Sequence, residues 1–117
     1  MENDKKKIVS IIIPCYNAEK TIVRCLDSIN NSSYSNSLIE VLLVDGMSND
    51  KTLLNIKEYQ NKNNLDIKVI DNKKKYQNFG FNLGVDSSRG EVVMRLDAHS
   101  TIAKDFLRAS MEFLSKN

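Results

Sequence analysis

The chain has 117 residues, of which 41% are hydrophobic and 27% charged, and its formal net charge is +2. This length suits one domain with a single core, and the small net charge gives no reason to expect a nucleic-acid partner. No apolar stretch is long enough to cross a membrane. Cys15 and Cys25 match neither a metal motif nor a disulfide framework, so a reducing cytoplasm is expected.

The first half of the chain predicts two strand–helix pairs. The β-branched run at residues 8–13 is typical of a strand buried on both faces, and it stops at Pro14. Asn17 can cap a following helix, whose apolar face carries Ala18, Ile22, Cys25, Leu26 and Ile29. A second strand is predicted at 39–44. It runs into a polar turn at 45–50, which is followed by a helix over about 51–61.

The second half repeats this alternation. A short strand at residues 67–70 ends at Asp71, and a helix follows over about 78–87. Gly80 and Gly84 each weaken that helix by about 1 kcal/mol relative to alanine, so close packing or ligand approach must account for them. A fourth strand is predicted at 91–96 and a last helix at 105–116.

Four strand–helix repeats predict an α/β domain with a mainly parallel sheet and helices on both faces. Ligands of such sheets bind beyond the carboxyl ends of the strands. Those ends fall here at Pro14, Asp45, Asp71 and Asp97. Three strands therefore deliver an aspartate to one edge, which predicts a functional site there.

The fourth strand runs into Asp97-Ala98-His99. On extended backbone Asp97 and His99 would share one face, where a carboxylate and an imidazole can hold Mn²⁺ or Mg²⁺, and the small Ala98 would leave room for a ligand. Such a cation could bridge the phosphates of a nucleotide. The alternative is that Asp97 caps a turn and His99 is a solvated loop residue. Neither a P-loop nor a dinucleotide-binding glycine motif is present.

Other residues near this edge allow two interpretations each. Asp45 and Ser48 either hydrogen-bond a base or ribose, or cap their turn. Tyr16 either stacks on a base or is a surface aromatic. The basic loop at 73–75 either helps to hold phosphates or is solvated, and Arg95 either contacts the ligand or forms a structural ion pair.

Several segments together resemble a known family. Residues 9–17 resemble the opening strand of the family 2 glycosyltransferases, which are inverting enzymes with a GT-A fold. Residues 44–52 resemble their second motif, usually Val-Asp-Asp-Gly-Ser-x-Asp-x-Thr. The remaining motifs follow in the expected order: Asn82-x-Gly84, Arg89-Gly90-Glu91 and Arg95-x-Asp97-Ala98-His99. The resemblance covers about residues 8–114.

Two positions depart from the usual family pattern. Gly46 stands where most members have a second aspartate that often contacts uracil, and His99 stands where most have aspartate. With Gln77, these departures resemble the bacterial exopolysaccharide transferases typified by succinoglycan biosynthesis. A histidine at the end of this motif is also similar to the metal site of polypeptide GalNAc-transferases.

The resemblance implies a Rossmann-like GT-A domain that binds a nucleotide-diphospho-sugar, a UDP-sugar in the first instance. It implies inverting transfer to a glycan or lipid-linked acceptor in polysaccharide biosynthesis, with Mn²⁺ or Mg²⁺ held by Asp97 and His99. The donor-binding residues that it implies are Pro14, Tyr16, Asn17, Glu19, Asp45, Ser48, Gln77 and Asp97.

The resemblance also places the family's catalytic base beyond Asn117. We therefore expect residues 1–117 to form a single donor-binding domain that transfers no sugar alone, with membrane contact only through segments outside it. Two alternatives stay open. A sugar nucleotidyltransferase would need a glycine-rich basic loop after the first strand, which residues 15–20 lack. A non-catalytic binding module would use the same fold for other contacts.

Overall fold

The computed structural model describes residues 7–74 and 77–116, without the side chains of residues 77–79. In these ranges strands and helices alternate in the order β1 (Val9–Cys15), α1 (Ile22–Asn30), β2 (Ile39–Asp45), α2 (Thr52–Lys62), β3 (Asp66–Asp71), α3 (Gln77–Ser87), β4 (Val92–Arg95) and α4 (Phe106–Ser115). A 3₁₀ turn, Asn36–Leu38, precedes β2. None of the helices described is long and apolar enough to cross a membrane.

The four strands form one sheet in the order β3-β2-β1-β4, and every pairing is parallel. This confirms the predicted α/β architecture. Both central strands are buried at every position, as the β-branched runs predict. The edge strands β3 and β4 are partly exposed.

Helices cover both faces of the sheet. The larger core joins alternate residues of β1 and β2 to buried residues of α1, α2 and α4, such as Leu26, Ile56 and Leu107. On the other face, a smaller cluster of Ile12, Leu42 and Val44 packs against α3. This arrangement leaves the carboxyl ends of the strands, with the loops that follow them, as one edge of the molecule.

Close packing accounts for the glycines of α3. A Cβ added at Gly84 would lie 2.5 Å from Ile12 Cγ2, which is too close for any side chain. At Gly80 the nearest atoms would be Asn72 Nδ2 at 3.0 Å and Val44 Cγ1 at 3.3 Å. The expectation of a packing reason is confirmed at Gly84, because α3 lies directly on β1 there.

Candidate functional site

The carboxyl ends of the strands meet at one edge, which we call the carboxyl rim and define by Pro14, Asp45, Asp71 and Asp97. The strand register places Cys15 beside Asp45, and Asp45 beside Asp71. Asp97 follows β4 on the far side of β1. Two strand spacings therefore separate the backbones of Asp45 and Asp97, or about 10 Å. The predicted convergence of three aspartates on one edge is confirmed.

Asp45 forms the buried floor of the rim, since it is 1% exposed. Its Oδ2 accepts a hydrogen bond from the Ser48 backbone N–H at 3.0 Å, and its Oδ1 accepts one from Ser48 Oγ. Of the two interpretations of Asp45 and Ser48, the one in which they cap their own turn matches these hydrogen bonds. Ser48 as a whole residue is only partly buried at this turn.

Two loops of the rim are hydrogen-bonded to each other: the β1–α1 loop (residues 16–21) and the β2–α2 loop (residues 46–51). The Asn17 backbone N–H donates to Ser48 Oγ at 2.8 Å, and Asn17 Oδ1 accepts from the Asn49 N–H at 2.9 Å. Asn17 has a φ of 48°, a left-handed conformation that asparagine tolerates better than most residues. Asn17 thus joins the loops rather than capping α1, whose N-cap is Thr21.

The same loops are joined again on the side of α2. The Ala18 N–H donates to Thr52 Oγ1 at 2.7 Å, and the Glu19 N–H donates to Asp50 Oδ2 at 3.3 Å. In return, Glu19 Oε1 accepts from the Lys51 N–H at 3.0 Å. These bonds and those of Asn17 fix the outline of the rim before any ligand binds, because each loop is held by backbone groups of the other.

The pKa of Asp50 reflects this arrangement. Partial burial raises the pKa of its carboxyl, but hydrogen bonds from Thr52 and from the Glu19 backbone outweigh that effect and lower it. Asp50 therefore stays ionised and continues to accept these bonds at neutral pH.

The backbone at Asp97 and His99 differs from the sequence prediction. β4 ends at Arg95, and residues 98–99 form a turn in which Asp97 Oδ1 accepts the His99 backbone N–H at 2.9 Å. The expectation of extended backbone through His99 was wrong, and the alternative, in which Asp97 caps a turn, describes the backbone here. Ala98 packs in the main core and is 3% exposed. The small size of Ala98 thus serves packing rather than ligand access.

The side chains of Asp97 and His99 are nevertheless both exposed at the rim. His99 Nδ1 lies 3.2 Å from Thr21 Oγ1, which leaves Nε2 as the nitrogen for another ligand. No cluster of three or more metal-binding side chains occurs in the described part of the chain. One carboxylate and one imidazole fit a cation whose other ligands are phosphate and water oxygens. Metal binding by this pair stays a prediction.

The other predicted residues occupy varied positions. Pro14 is buried near the end of β1, whereas Tyr16, just beyond it, is 49% exposed. The Arg95 guanidinium lies 5.9 Å above the ring centre of Phe81, on the α3 face of the sheet. Lys73 and Lys74 are exposed. The side chain of Gln77 and the whole of Lys75 lie outside the described residues.

Sequence reasoning did not single out three features of the rim. Burial and the neighbouring charge of Asp45 raise the pKa of Cys15 to about 12, so this thiol stays protonated. Thr52, which is fully buried, links the two loops. Met47 has a left-handed φ of 66°. The last feature could have been found, since Met47 stands where the family motif has glycine.

Comparisons with known proteins show which family and fold the chain shares. A model of glycosyl transferase family 2 matches residues 10–117. The dolichyl N-acetyl-alpha-D-glucosaminyl phosphate 3-beta-D-2,3-diacetamido-2,3-dideoxy-beta-D-glucuronosyltransferase of Methanococcus voltae is 41% identical over 105 residues, which cover 89% of this chain and 33% of that protein. The poly(ribitol-phosphate) beta-N-acetylglucosaminyltransferase TarS of Staphylococcus aureus is 30% identical over 92% of this chain and 19% of its own length. The chain thus spans a third or less of these two relatives.

Solved structures show the same fold. Residues 1–349 of S. aureus TarS superimpose with a TM-score of 0.86 and 30% identity, over 93% of this chain and 32% of that one. The same part of TarS has been crystallised with UDP and with UDP-GlcNAc. The mannosyltransferase PcManGT of Pyrobaculum calidifontis, crystallised with GDP-Man and Mn²⁺, has a TM-score of 0.87. It is 24% identical over 96% of this chain and 33% of that one, a likeness of fold alone.

Proposed function

Because this chain belongs to glycosyl transferase family 2, we propose that its carboxyl rim binds the nucleoside diphosphate of a sugar donor, and specifically of a UDP-sugar. The observation that carries the proposal is the pair of hydrogen-bonded loops around Asp45, which gives the rim a fixed polar outline at the ligand-binding edge of a parallel sheet. TarS, which shares 29% identity in its complex with UDP-GlcNAc, binds a donor of this class.

The proposed donor residues divide by what their atoms already contact. Ser48 is partly buried and Tyr16 is half exposed, which supports a role for these two side chains in contacting the base and ribose. Asn17 and Glu19 contribute indirectly, by maintaining the shape of the rim. Their side-chain oxygens accept hydrogen bonds from backbone N–H groups of the opposite loop. The remaining members of the proposed set are Pro14, Asp45, Gln77 and Asp97.

The charge of the rim supports a metal-dependent site. Asp71 and Asp97 are exposed carboxylates at the same edge as Asp45, and together they would repel a diphosphate unless a cation intervened. We assign Asp97 and His99 to hold Mn²⁺ or Mg²⁺. Such an ion, when bound, stabilises the negative charge on a leaving diphosphate.

The whole protein is proposed to transfer a sugar to a glycan or lipid-linked acceptor in the cytoplasm, in the exopolysaccharide subgroup of the family. Gly46 and His99 support the assignment to this subgroup, since both stand where most family members have aspartate and both resemble the exopolysaccharide transferases. The catalytic base is assigned to a part of the protein outside these residues. Residues 1–117 are accordingly expected to bind the donor without transferring its sugar.

The metal assignment predicts the behaviour of His99→Ala. Losing one of two protein ligands should weaken Mn²⁺-dependent UDP binding by about ten- to hundredfold, a range seen even for indirect metal partners. Calorimetric titration with UDP, with and without Mn²⁺, measures the effect. Thr101→Ala, an exposed change two residues further on, is the control and should bind as the unaltered chain does.

Three results would contradict the proposal. If His99→Ala keeps the full metal dependence, His99 does not hold the cation. If the unaltered chain strongly prefers UTP over UDP, the nucleotidyltransferase alternative fits better, and if it binds neither at millimolar concentration, the rim is not a donor site.

A further inference from the structure

Met47 combines two features that are unfavourable for the unbound protein. It is a non-glycine residue with a φ of 66°, in the left-handed region where a Cβ crowds the following carbonyl group. Its apolar side chain is also 45% exposed, so it does not reach the core to offset that strain. Strained backbone that the surrounding structure maintains is often found where a ligand binds.

The surroundings of Met47 hold it in this conformation. On one side, the Gly46 N–H donates to the Cys15 carbonyl oxygen at 2.8 Å. On the other, the Ser48 backbone N–H and hydroxyl bond to the Asp45 carboxylate, and the same hydroxyl accepts from Asn17. Met47 is thus fixed between two anchored neighbours and its side chain is left facing solvent at the rim.

Tyr16 is the first residue of the β1–α1 loop, which is hydrogen-bonded to the β2–α2 loop that carries Met47. Tyr16 directly follows Cys15, and Gly46 directly follows Asp45, the residue paired with Cys15; Tyr16 is 49% exposed. Two half-exposed side chains, one aromatic and one thioether, therefore lie on adjoining loops beside the buried carboxylate of Asp45. Such side chains attract flat rings by dispersion, and the attraction depends little on which base carries the ring.

We propose that Met47 is a nucleotide-binding residue that contacts the base of the bound nucleoside diphosphate through its thioether side chain. This inference rests on the proposed donor site. Gly46, the preceding residue, has no side chain with which to hydrogen-bond a base. The contribution of Met47 is consequently of similar size for pyrimidine and purine nucleotides.

The test compares Met47→Gly with the unaltered chain by calorimetry, using UDP, GDP and pyrophosphate with the same divalent cation. Met47→Gly should bind UDP and GDP about two- to tenfold more weakly, which corresponds to the loss of one thioether–ring contact. Pyrophosphate affinity should not change, because pyrophosphate carries no base. Glycine relieves the left-handed strain, so the midpoint of thermal unfolding should rise while nucleotide affinity falls.

Two further variants separate contact from loop shape. Met47→Leu keeps an apolar side chain on the same strained backbone and should retain most of the nucleotide affinity. Leu54→Ala, which shortens a side chain 53% exposed on α2, should leave all three affinities unchanged. The proposal is overturned if Met47→Gly binds UDP as tightly as the unaltered chain, or if pyrophosphate affinity falls as much as UDP affinity.

The failure of this inference differs from the failure of the donor site. If the unaltered chain binds UDP and Met47→Gly binds it equally, only the role of Met47 is refuted. If the unaltered chain binds neither UDP nor GDP, the donor site and the role of Met47 are refuted together.

Discussion

Glu40 is a buried carboxylate that links several elements at the edge of the sheet opposite the carboxyl rim. It is fully buried as the second residue of β2, and it accepts hydrogen bonds from Ser10 Oγ at 2.7 Å and from the Arg89 backbone N–H at 2.9 Å. Lys68 Nζ and Arg89 Nε each lie 3.1 Å from its carboxylate. Burial raises the pKa of Glu40, but these bonds outweigh it and lower the pKa below the ordinary value.

Glu40→Gln should therefore destabilise the protein by about 1–3 kcal/mol at neutral pH, because buried donors lose a charged acceptor. A lowered folded-state pKa adds stability above the ordinary value of 4.5, and this stability is lost as the pH falls through the folded-state pKa. Urea unfolding at neutral and acidic pH should show the difference between variant and unaltered protein shrinking in acid.

Glu58→Gln, an exposed change on α2, is the matched control and should shift stability little at either pH. An equal loss for Glu40→Gln at both pH values would mean that packing, rather than the charge of Glu40, stabilises this edge.

The sequence did not identify Glu40, although it correctly placed residues 39–44 in a strand. The partners of Glu40 are 28 to 49 residues away along the chain, so no local pattern reveals them. Asp45 was identified because it follows directly on a strand. The bonds that Asn17 and Glu19 make to the opposite loop were not predicted, since they depend on how two distant loops meet.

The helix α3 packs closely against β1 at Gly84. Gly84→Ala would place a Cβ 2.5 Å from Ile12 Cγ2, so α3 must move or β1 must adjust. Overpacking of this kind costs about 1–3 kcal/mol, more than the roughly 1 kcal/mol that alanine gains over glycine in helix propensity. We expect Gly84→Ala to lower the free energy of unfolding in urea.

The neighbouring Val85→Ala is the control, since Val85 is 39% exposed and its truncation leaves the sheet contact intact. If Gly84→Ala were as stable as the unaltered protein, the result would contradict the inference that α3 and β1 leave no space for a Cβ at residue 84.

Element types were predictable because hydrophobic periodicity is local. β1 and β2 show continuous apolar runs, and α1 carries its buried residues at helical spacing. The end of β4 was predicted at residue 96, one residue beyond its observed end at Arg95. The turn at residues 98–99 was foreseen only as the alternative to extended backbone, because no local pattern distinguishes the two.

At the scale of the whole molecule, strand–helix alternation predicted a parallel sheet but not the order of its strands. The observed order puts β1 between β2 and β4, so Asp45 and Asp97 lie on either side of the β1 end. That placement depends on long-range packing, which local pattern does not contain. The resulting rim can hold a ligand about two strands wide, in keeping with a nucleotide whose diphosphate reaches across β1.

The central claim is that the carboxyl rim is the nucleotide site. The most direct measurement follows backbone amide NMR shifts of the isotope-labelled chain during titration with UDP and Mg²⁺. We predict saturable shifts at Asp45, Ser48, Asp97 and His99, with none at Glu40 and Arg89 on the opposite edge. Shifts centred on Glu40 and Arg89, or none anywhere at millimolar UDP, would contradict it.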